Sequence, residues 1–253
     1  MRERPLRRAA NAAFTGLWTA AHSVLAIGET AVSAAPSTLQ ARERRWANGL
    51  LRVWGIELSV TGLSNVPTGE RLVMICNHQS YIDVVALFSS LPELPVFLAK
   101  QELRSIPLFG RAMGSIGHVF VDRGHKGQAQ DAIERAGRAL RPRFPVVVFP
   151  EGTRATRPVI QPFKKGAFHL AKAAGSPILP MGIVGSLERW PRGTSAPAPG
   201  PVSLRIGRPI AAEDVQALSM EDLMARARGE VSALTALPLG ERSADVTGRH
   251  ARG

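Results

Sequence analysis

The sequence has a single cysteine, Cys76, among its 253 residues. One cysteine excludes an internal disulfide framework and a cysteine-rich metal site, and its position in an apolar run predicts a buried side chain rather than a nucleophile. Histidines are also few, and His118, His125 and His169 are not spaced like the ligands of a metal ion. The sequence therefore predicts no metal site and no cofactor.

Several common motifs are missing as well. No Gly-x-Ser-x-Gly elbow, Walker loop or dinucleotide-binding glycine fingerprint occurs, which argues against a serine hydrolase, a kinase and a dehydrogenase. There is also no window of about 18 to 20 strongly apolar residues. Residues 9–28 carry no formal charge, but they are rich in Ala, Thr, Asn and Gly, so this stretch is a poor candidate for a membrane-spanning helix.

Negative charge is scarce relative to positive charge. Thirty-two lysines and arginines against 20 aspartates and glutamates give a formal net charge of +12. This excess indicates an anionic partner: a phosphate-bearing substrate, an anionic membrane surface or nucleic acid. The basic residues are dispersed or lie beside apolar helical stripes, and no nucleic-acid motif accompanies them. We therefore expect no nucleic-acid partner.

Residues 1–55 combine basic and apolar side chains at helical spacing, on both sides of Pro36. Amphipathic helices of this kind lie in the membrane interface, so we predict a two-helix segment that associates with the membrane at its cytoplasmic face. The alternatives are two helices that only pack on a domain, or a secretory signal. The apolar residues of the pattern are Phe14, Leu17, Trp18, Leu25, Trp46, Leu50 and Trp54, and the basic ones are Arg2, Arg4, Arg7, Arg8, Arg42, Arg44, Arg45 and Arg52.

Seven short apolar segments follow and predict an α/β domain over residues 56–237. They are rich in Val, Ile, Leu and Phe, which is typical of buried strands, and they predict a mixed, largely parallel sheet of about seven strands flanked by helices. We expect helices at 83–89, 127–140 and 165–174, and a polar, mobile tail over 238–253. The segments are IELSV, LVMIC, PVFLA, HVFV, VVVFP, ILPMGIVG and VSLRIG.

The first candidate site lies where the LVMIC segment ends in Asn77 and His78, with Asp83 five residues after the histidine. On one helix these two side chains would lie about 140° apart, so they can meet only if a helix starts near Gln79 or Ser80 and leaves His78 outside it. His78 would then donate through Nδ1–H to Asp83 and keep Nε2 free as a general base. The alternative is a structural histidine beside a first-turn acid.

The second candidate site is the end of the VVVFP segment, which continues into Glu151, Gly152, Thr153 and Arg154. Gly152 permits a close backbone approach, and the planar fork of Arg154 suits phosphate oxygens. Because a carboxylate repels phosphate, we expect Glu151 to orient Arg154, backbone amides or an acceptor hydroxyl. The alternative is a surface turn with solvated charges.

Two further cations follow strands of the predicted sheet. Lys100 ends the PVFLA segment, and Arg123 comes after the HVFV segment. Both are candidates for binding an anion, although an isolated lysine or arginine is more often only solvated.

These segments resemble the motif blocks of the glycerolipid acyltransferase family. NHQSYID, FLAKQEL…PLFG…VFVDR, FPEGTR and SPILPMGI occur in the order of that family's four blocks, within residues 56–209. Within the family, the pattern resembles the 1-acylglycerol-3-phosphate acyltransferases. One departure is Ala155, where a serine often follows the arginine, and it bears on the identity of the acceptor.

The resemblance implies transfer of a fatty acyl group from acyl-CoA or acyl carrier protein to the free hydroxyl of a lysophospholipid, 1-acylglycerol 3-phosphate, giving phosphatidic acid. It implies His78 as the general base and Asp83 as its orienting partner, without an acyl-enzyme. The acceptor-phosphate block would comprise Glu151, Gly152, Thr153 and Arg154, assisted by Lys100 and Arg123. The alternatives are another acceptor, such as a lyso-ornithine lipid or glycerol 3-phosphate, and a non-catalytic lipid-binding protein of the same fold.

Overall fold

The computed structural model describes residues 5–121 and 144–241, together with Gly137 and Leu140. Its α-helices are α1 (Pro5–Ala31), α2 (Pro36–Trp54), α3 (Ile82–Ser90), α4 (Phe109–Ile116), α5 (Gly166–Ala174), α6 (Ser186–Arg189), α7 (Ala212–Ala217) and α8 (Met220–Thr235). Its strands are β1 (Ile56–Thr61), β2 (Val73–Cys76), β3 (Val96–Lys100), β4 (Val119–Val121), β5 (Val146–Val148), β6 (Ile178–Val184) and β7 (Gly200–Ile206).

The strands form one seven-stranded sheet in the order β1-β7-β6-β2-β5-β3-β4. All neighbouring pairs are parallel except β6 and β7, which run antiparallel. Each of the seven predicted strands is present, so the predicted mixed, largely parallel sheet is confirmed.

Both faces of the sheet are covered by apolar side chains, as its continuous apolar segments require. Alternate residues of β2 point to opposite faces: Met74 belongs to one core cluster and Ile75 to the other. Helices α2 and α3 contribute buried residues to the first cluster, and α5, α7 and α8 contribute to the second. The carboxyl edge of the central strands therefore stands on a rigid, two-sided core.

Helix α1 turns its polar side towards the protein and its apolar side outward. Asn11, His22 and Ser23 are buried, and the hydroxyls of Thr15 and Thr19 accept hydrogen bonds from indole N–H groups of α2. Every exposed residue of α1 from 9 onward is Ala, Gly, Leu or Val. These are Ala9, Ala10, Ala12, Ala13, Gly16, Leu17, Ala21, Val24, Leu25, Gly28 and Ala31.

The two predicted N-terminal helices are present, and α2 begins at Pro36 as the sequence indicates, because proline is favoured in the first helical turn. The predicted apolar stripe is divided, however. Phe14 and Trp18 pack against the core cluster, whereas Leu17 and Leu25 are exposed. Among the residues that the structure describes, no helix is long and apolar enough to span a bilayer.

Three predictions fall wholly or partly outside the described residues: most of the helix at 127–140, the cation Arg123, and the tail from 242 onward. Within the described part, the start of the predicted tail is bound to the domain. Ile160 N–H donates to the carbonyl of Pro238, and Gly240 N–H donates to the carbonyl of Ile160. The division of the chain at residues 55 and 237 stays a prediction.

Candidate active site

Three parallel strands bring the candidate residues to one edge of the sheet. Ile75 of β2 pairs with Val148 of β5. His78 comes three residues after Ile75, and Glu151 comes three residues after Val148. Strand β3, which also runs parallel to β5, ends at Lys100. The carboxyl ends of β2, β5 and β3 therefore carry these side chains on a common edge, where active sites of parallel sheets are found.

His78 is held by Asp83 at a corner between β2 and α3. Its Nδ1 lies 2.8 Å from Oδ2 of Asp83, and the same oxygen accepts the backbone N–H groups of Gln79 and Ser80 at 2.7 and 2.8 Å. The predicted hydrogen bond is present, and α3 begins at Ile82, one residue before the predicted range 83–89 and two residues after Ser80. The carboxylate holds residues 79 and 80 in a turn, so the helix begins only after it.

The Asp83 contact determines which nitrogen of His78 is available for chemistry. Oδ2 acts as an acceptor towards two backbone N–H groups, so it pairs best with a protonated Nδ1 of His78. This tautomer leaves the lone pair of Nε2 free to accept a proton. Asp83 is completely buried and His78 is partly exposed, so the acid is shielded from water while the base can be reached.

The loop after β5 fixes the backbone and the ring of His78. Glu151 Oε1 accepts the His78 N–H at 2.7 Å, and the His78 carbonyl accepts the N–H of Ala155 at 2.8 Å. The ring of Phe149 stacks on the imidazole with a centroid distance of 4.0 Å and an interplanar angle of 15°. The two sequence motifs thus form one hydrogen-bonded unit.

Glu151 bonds backbone amides, which is one of the three roles expected for it. Besides the His78 N–H, it accepts the Gln161 N–H through Oε2 at 3.1 Å, and its side chain is buried. Burial raises the pKa of its carboxyl to about 7, although the two N–H donors act in the opposite direction. Glu151 therefore ties the His78 corner to the loop that carries Arg154.

The turn after Glu151 presents Arg154. Gly152 has a φ of +73°, a left-handed conformation that strongly favours glycine, and Thr153 is exposed. Arg154 is half-buried, and its Cζ lies 3.9 Å from the ring centroid of Tyr81. The guanidinium thus lies against the residue that immediately precedes α3, next to the His78 corner.

The other two predicted cations are Lys100, which lies outside this hydrogen-bonded network, and Arg123. Lys100 lies on the same edge, but it is exposed and forms an ion pair with Glu102 at 2.6 Å. Arg123 lies outside the described residues. The structure therefore brings His78, Asp83 and Glu151 into one network, places Arg154 beside it, and leaves Lys100 paired at the surface.

Two other titratable side chains, Cys76 and His118, are buried. Cys76 is completely buried, and burial raises the pKa of its thiol well above the ordinary value, with the Asp83 and Glu151 charges adding to the shift. His118 accepts the Phe97 N–H and faces Glu43 at 3.3 Å. Over residues 5–121 and 144–241, no group of three or more His, Cys, Asp or Glu side chains could hold a metal ion.

Sequence reasoning missed three residues of this site. Phe149 stacks on His78, Tyr81 lies under Arg154, and Trp190 contacts Tyr81. Tyr81 and Phe149 lie inside the NHQSYID and FPEGTR motifs, where an aromatic residue beside charged residues is a usable signal. Trp190 lies 109 residues after Tyr81 in the chain, and no local pattern connects the two.

The fold and the site define an α/β protein with a histidine–aspartate pair beside an arginine, at the carboxyl edge of a parallel sheet. This arrangement suits the activation of a hydroxyl on an anionic substrate. The chain belongs to the acyltransferase family: the family model described as Acyltransferase matches residues 57–184, about half of the chain. The matched segment contains His78, Asp83 and Arg154, and it confirms the resemblance found in the sequence.

Individual relatives agree with this assignment. A protein from Cocos nucifera named 1-acyl-sn-glycerol-3-phosphate acyltransferase is 30% identical over 167 residues, covering 66% of this chain and 54% of that protein. The Homo sapiens protein named 1-acyl-sn-glycerol-3-phosphate acyltransferase alpha is 37% identical over 130 residues, covering 51% of this chain and 46% of that protein. The chain therefore spans about half the length of these curated relatives.

A solved structure shares the fold. The crystal structure of the 1-acyl-sn-glycerophosphate (LPA) acyltransferase PlsC from Thermotoga maritima superimposes with a TM-score of 0.76. The match covers 90% of this chain and 92% of that chain at 23% sequence identity. At this identity the likeness establishes a common architecture.

Proposed function

We propose that the chain transfers a fatty acyl group from an acyl thioester to the free hydroxyl of 1-acylglycerol 3-phosphate, giving phosphatidic acid. The observation that carries this proposal is the His78–Asp83 pair, locked by hydrogen bonds to the loop that presents Arg154. The names of the Cocos nucifera and Homo sapiens relatives support this choice of acceptor. Acyl-CoA and acyl carrier protein are the two candidate donors, and no cofactor is required.

In the proposed reaction, Nε2 of His78 takes the proton of the acceptor hydroxyl while its oxygen attacks the thioester carbonyl carbon. The C–O bond forms, and the tetrahedral oxyanion then collapses with cleavage of the C–S bond. The leaving thiolate takes the proton back from the imidazolium, which Asp83 stabilises meanwhile. A thioester has a good leaving group, so the acceptor can attack directly, without an acyl-enzyme.

The assay of this function measures thiol release from one acyl-CoA against a panel of acceptors, with the lipid product identified by mass. Lysophosphatidate, glycerol 3-phosphate and a lyso-ornithine lipid form the panel. We expect lysophosphatidate to give the largest stimulation and phosphatidic acid as the product. A larger stimulation by another acceptor would reassign the substrate, and thiol release that no acceptor stimulates would contradict acyl transfer.

Arg154 is proposed to bind the acceptor phosphate. Charge-assisted hydrogen bonds of this kind contribute about 1.5–3 kcal/mol each, so the Arg154→Gln substitution is expected to raise the KM for lysophosphatidate by about tenfold or more. The KM for acyl-CoA should stay close to the wild-type value, because the donor carbonyl reacts at His78. Steady-state kinetics with each substrate varied in turn measures both constants.

The matched control for Arg154 is Arg157→Gln, because Arg157 is an exposed arginine in the same loop. This variant should keep the wild-type KM for lysophosphatidate. Equal KM values in the two variants, whether both raised or both unchanged, would remove Arg154 from the phosphate-binding role.

We also propose that α1 and α2 place the enzyme on an anionic membrane surface, with the cytoplasmic face as the predicted location. Support comes from the outer face of α1, where the exposed residues from 9 to 31 are all Ala, Gly, Leu or Val, while Asn11 and His22 are buried. A helix that contacts water on its outer side has the opposite arrangement. Arg45 and Arg52 of α2 are exposed and suit anionic headgroups.

Charges on the outer face of α1 should therefore weaken membrane binding. Leu17 is 74% and Val24 54% exposed, and they lie two helical turns apart. Each such side chain contributes about 1.5–3 kcal/mol when fully buried in an apolar phase, so the double substitution Leu17→Glu and Val24→Glu should weaken binding more than about tenfold. Co-sedimentation with phosphatidylglycerol-containing vesicles measures the change.

The control for this surface is Leu63→Glu, since Leu63 is 46% exposed and lies in the 3-10 turn after β1. Strand β1 runs opposite to β6 through its pairing with β7, which places Leu63 on the sheet edge away from the site. Leu63→Glu should bind vesicles like the wild type. Unchanged binding of the double α1 variant would contradict the proposed membrane face.

A further inference from the structure

The ring of Tyr81 forms a platform for Arg154. Cζ of Arg154 lies 3.9 Å from the ring centroid, well inside the roughly 6 Å range of a cation–π interaction. Tyr81 is half exposed, so neither burial nor core packing accounts for its position. The contact joins the loop after β5 to the residue that immediately precedes α3, three residues after His78.

Further aromatic rings hold the platform in place. Tyr81 meets Trp190 at a centroid distance of 5.4 Å and an angle of 62°, and Trp190 meets Trp54 at 5.1 Å and 76°. Trp54 is buried, and its indole N–H donates to Thr15 of α1. The Ser80 hydroxyl also donates to the carbonyl of Trp190. The Tyr81 ring is therefore held by Trp190, which in turn contacts Trp54 of α2.

Stacking on an aromatic ring leaves a guanidinium ready to bind an anion. All its N–H donors lie in its plane, so a ring against one face does not occupy them. An acidic partner would instead compete with a phosphate for the same donors. Within residues 5–121 and 144–241, Arg154 has no ion pair with a carboxylate, and the Tyr81 ring holds it without neutralising its charge.

We infer that Tyr81 is a positioning residue for acceptor recognition, whose ring holds Arg154 in the orientation that receives the phosphate monoester of the acceptor. This inference rests on the proposed function and deepens it, because it adds a residue that acts through Arg154 rather than on the substrate. It also links the phosphate-binding arginine to the N-terminal helices through Trp190 and Trp54. The hydroxyl of Tyr81 has no part in this role.

Two substitutions separate the ring from the hydroxyl. Tyr81→Leu removes the ring and is expected to raise the KM for lysophosphatidate about three- to tenfold, because it removes a cation–π contact. Its kcat and its KM for acyl-CoA should stay within about twofold of the wild type. Tyr81→Phe keeps the ring and should retain the wild-type KM for both substrates.

A double substitution shows whether Tyr81 acts through Arg154. In an Arg154→Gln background the ring has no guanidinium to hold, so adding Tyr81→Leu should raise the KM for lysophosphatidate by less than about twofold. A merely structural role of Tyr81 would add its full effect and would also lower kcat. Circular dichroism and thermal unfolding of each variant establish that the fold is retained.

Direct binding of lysophosphatidate, measured by titration without an acyl donor, distinguishes a failure of the proposed function from a failure of the inference about Tyr81. If the wild type binds it but does not acylate it, the proposed function fails, and weaker binding in Tyr81→Leu than in Tyr81→Phe still supports the role of the ring. If the wild type acylates it and Tyr81→Leu shows unchanged KM and binding, the inference is overturned. Equal losses in the Phe and Leu variants would assign the effect to the hydroxyl and overturn it as well.

Discussion

Replacing His78 by alanine is expected to lower kcat/KM for acyl transfer by about 10² to 10⁴, the usual contribution of a positioned general base. The hydroxyl of the acceptor is a weak nucleophile until a base takes its proton. Nε2 of His78 carries the lone pair that can accept this proton, because Nδ1 is hydrogen-bonded to Asp83. The backbone contacts of residue 78 with Glu151 and Ala155 do not involve its side chain. The variant should therefore fold and bind membranes like the wild type.

The measurement is thiol release from acyl-CoA in the presence of lysophosphatidate, and the control is His169→Ala. His169 is an exposed histidine of α5, so its loss removes an imidazole from the surface and should leave turnover unchanged. Turnover of His78→Ala within about threefold of the wild type would rule out general-base catalysis by this residue.

Replacing Asp83 by asparagine is expected to lower kcat by about 10² to 10⁴, as the loss of the orienting acid does in other histidine-based sites. The amide has nearly the shape of the carboxylate but no charge to stabilise the imidazolium. Oδ2 accepts three hydrogen bonds, from His78, Gln79 and Ser80. The amide oxygen of asparagine can accept the same three donors, so the expected loss comes from the missing negative charge that would stabilise the imidazolium.

Kinetic constants show whether Asp83 acts through His78. The KM values for acyl-CoA and lysophosphatidate should change little in Asp83→Asn, and adding the substitution to His78→Ala should cause no further loss, because the two residues work as a unit. Asp214→Asn is the control, since Asp214 is an exposed aspartate paired with Arg226 at the surface. Additive losses in the double variant would contradict the proposed pairing.

Much of the fold was predictable because buried strands have a strong local signature. All seven strands coincide with apolar segments of the sequence, since a strand covered on both faces needs apolar residues along its whole length. The start of α3 was less predictable. The helix starts after the turn of residues 79 and 80, whose N–H groups donate to the Asp83 carboxylate. The turn and these hydrogen bonds stabilise each other, so neither can be predicted alone.

The orientation of α1 could not be predicted from its periodicity. The pattern identified a helix with a polar and an apolar side, but which side meets the protein depends on α2. The indoles of Trp46 and Trp54 donate to Thr19 and Thr15, and this pairing draws the polar side inward. A sequence window of one helix contains no information about donors that lie on another.

Some features of the candidate site follow from the local sequence, and others depend on tertiary packing. The spacing of His78 and Asp83 and the order of the two motifs follow from the sequence, because residues of one turn and ends of neighbouring parallel strands meet by local geometry. Three contacts form only when the chain folds: the hydrogen bond from the His78 N–H to Glu151, the stacking of Phe149 on His78, and the contact of Arg154 with the Tyr81 ring. Each joins segments far apart in the chain, and only packing of the sheet brings such segments within contact distance.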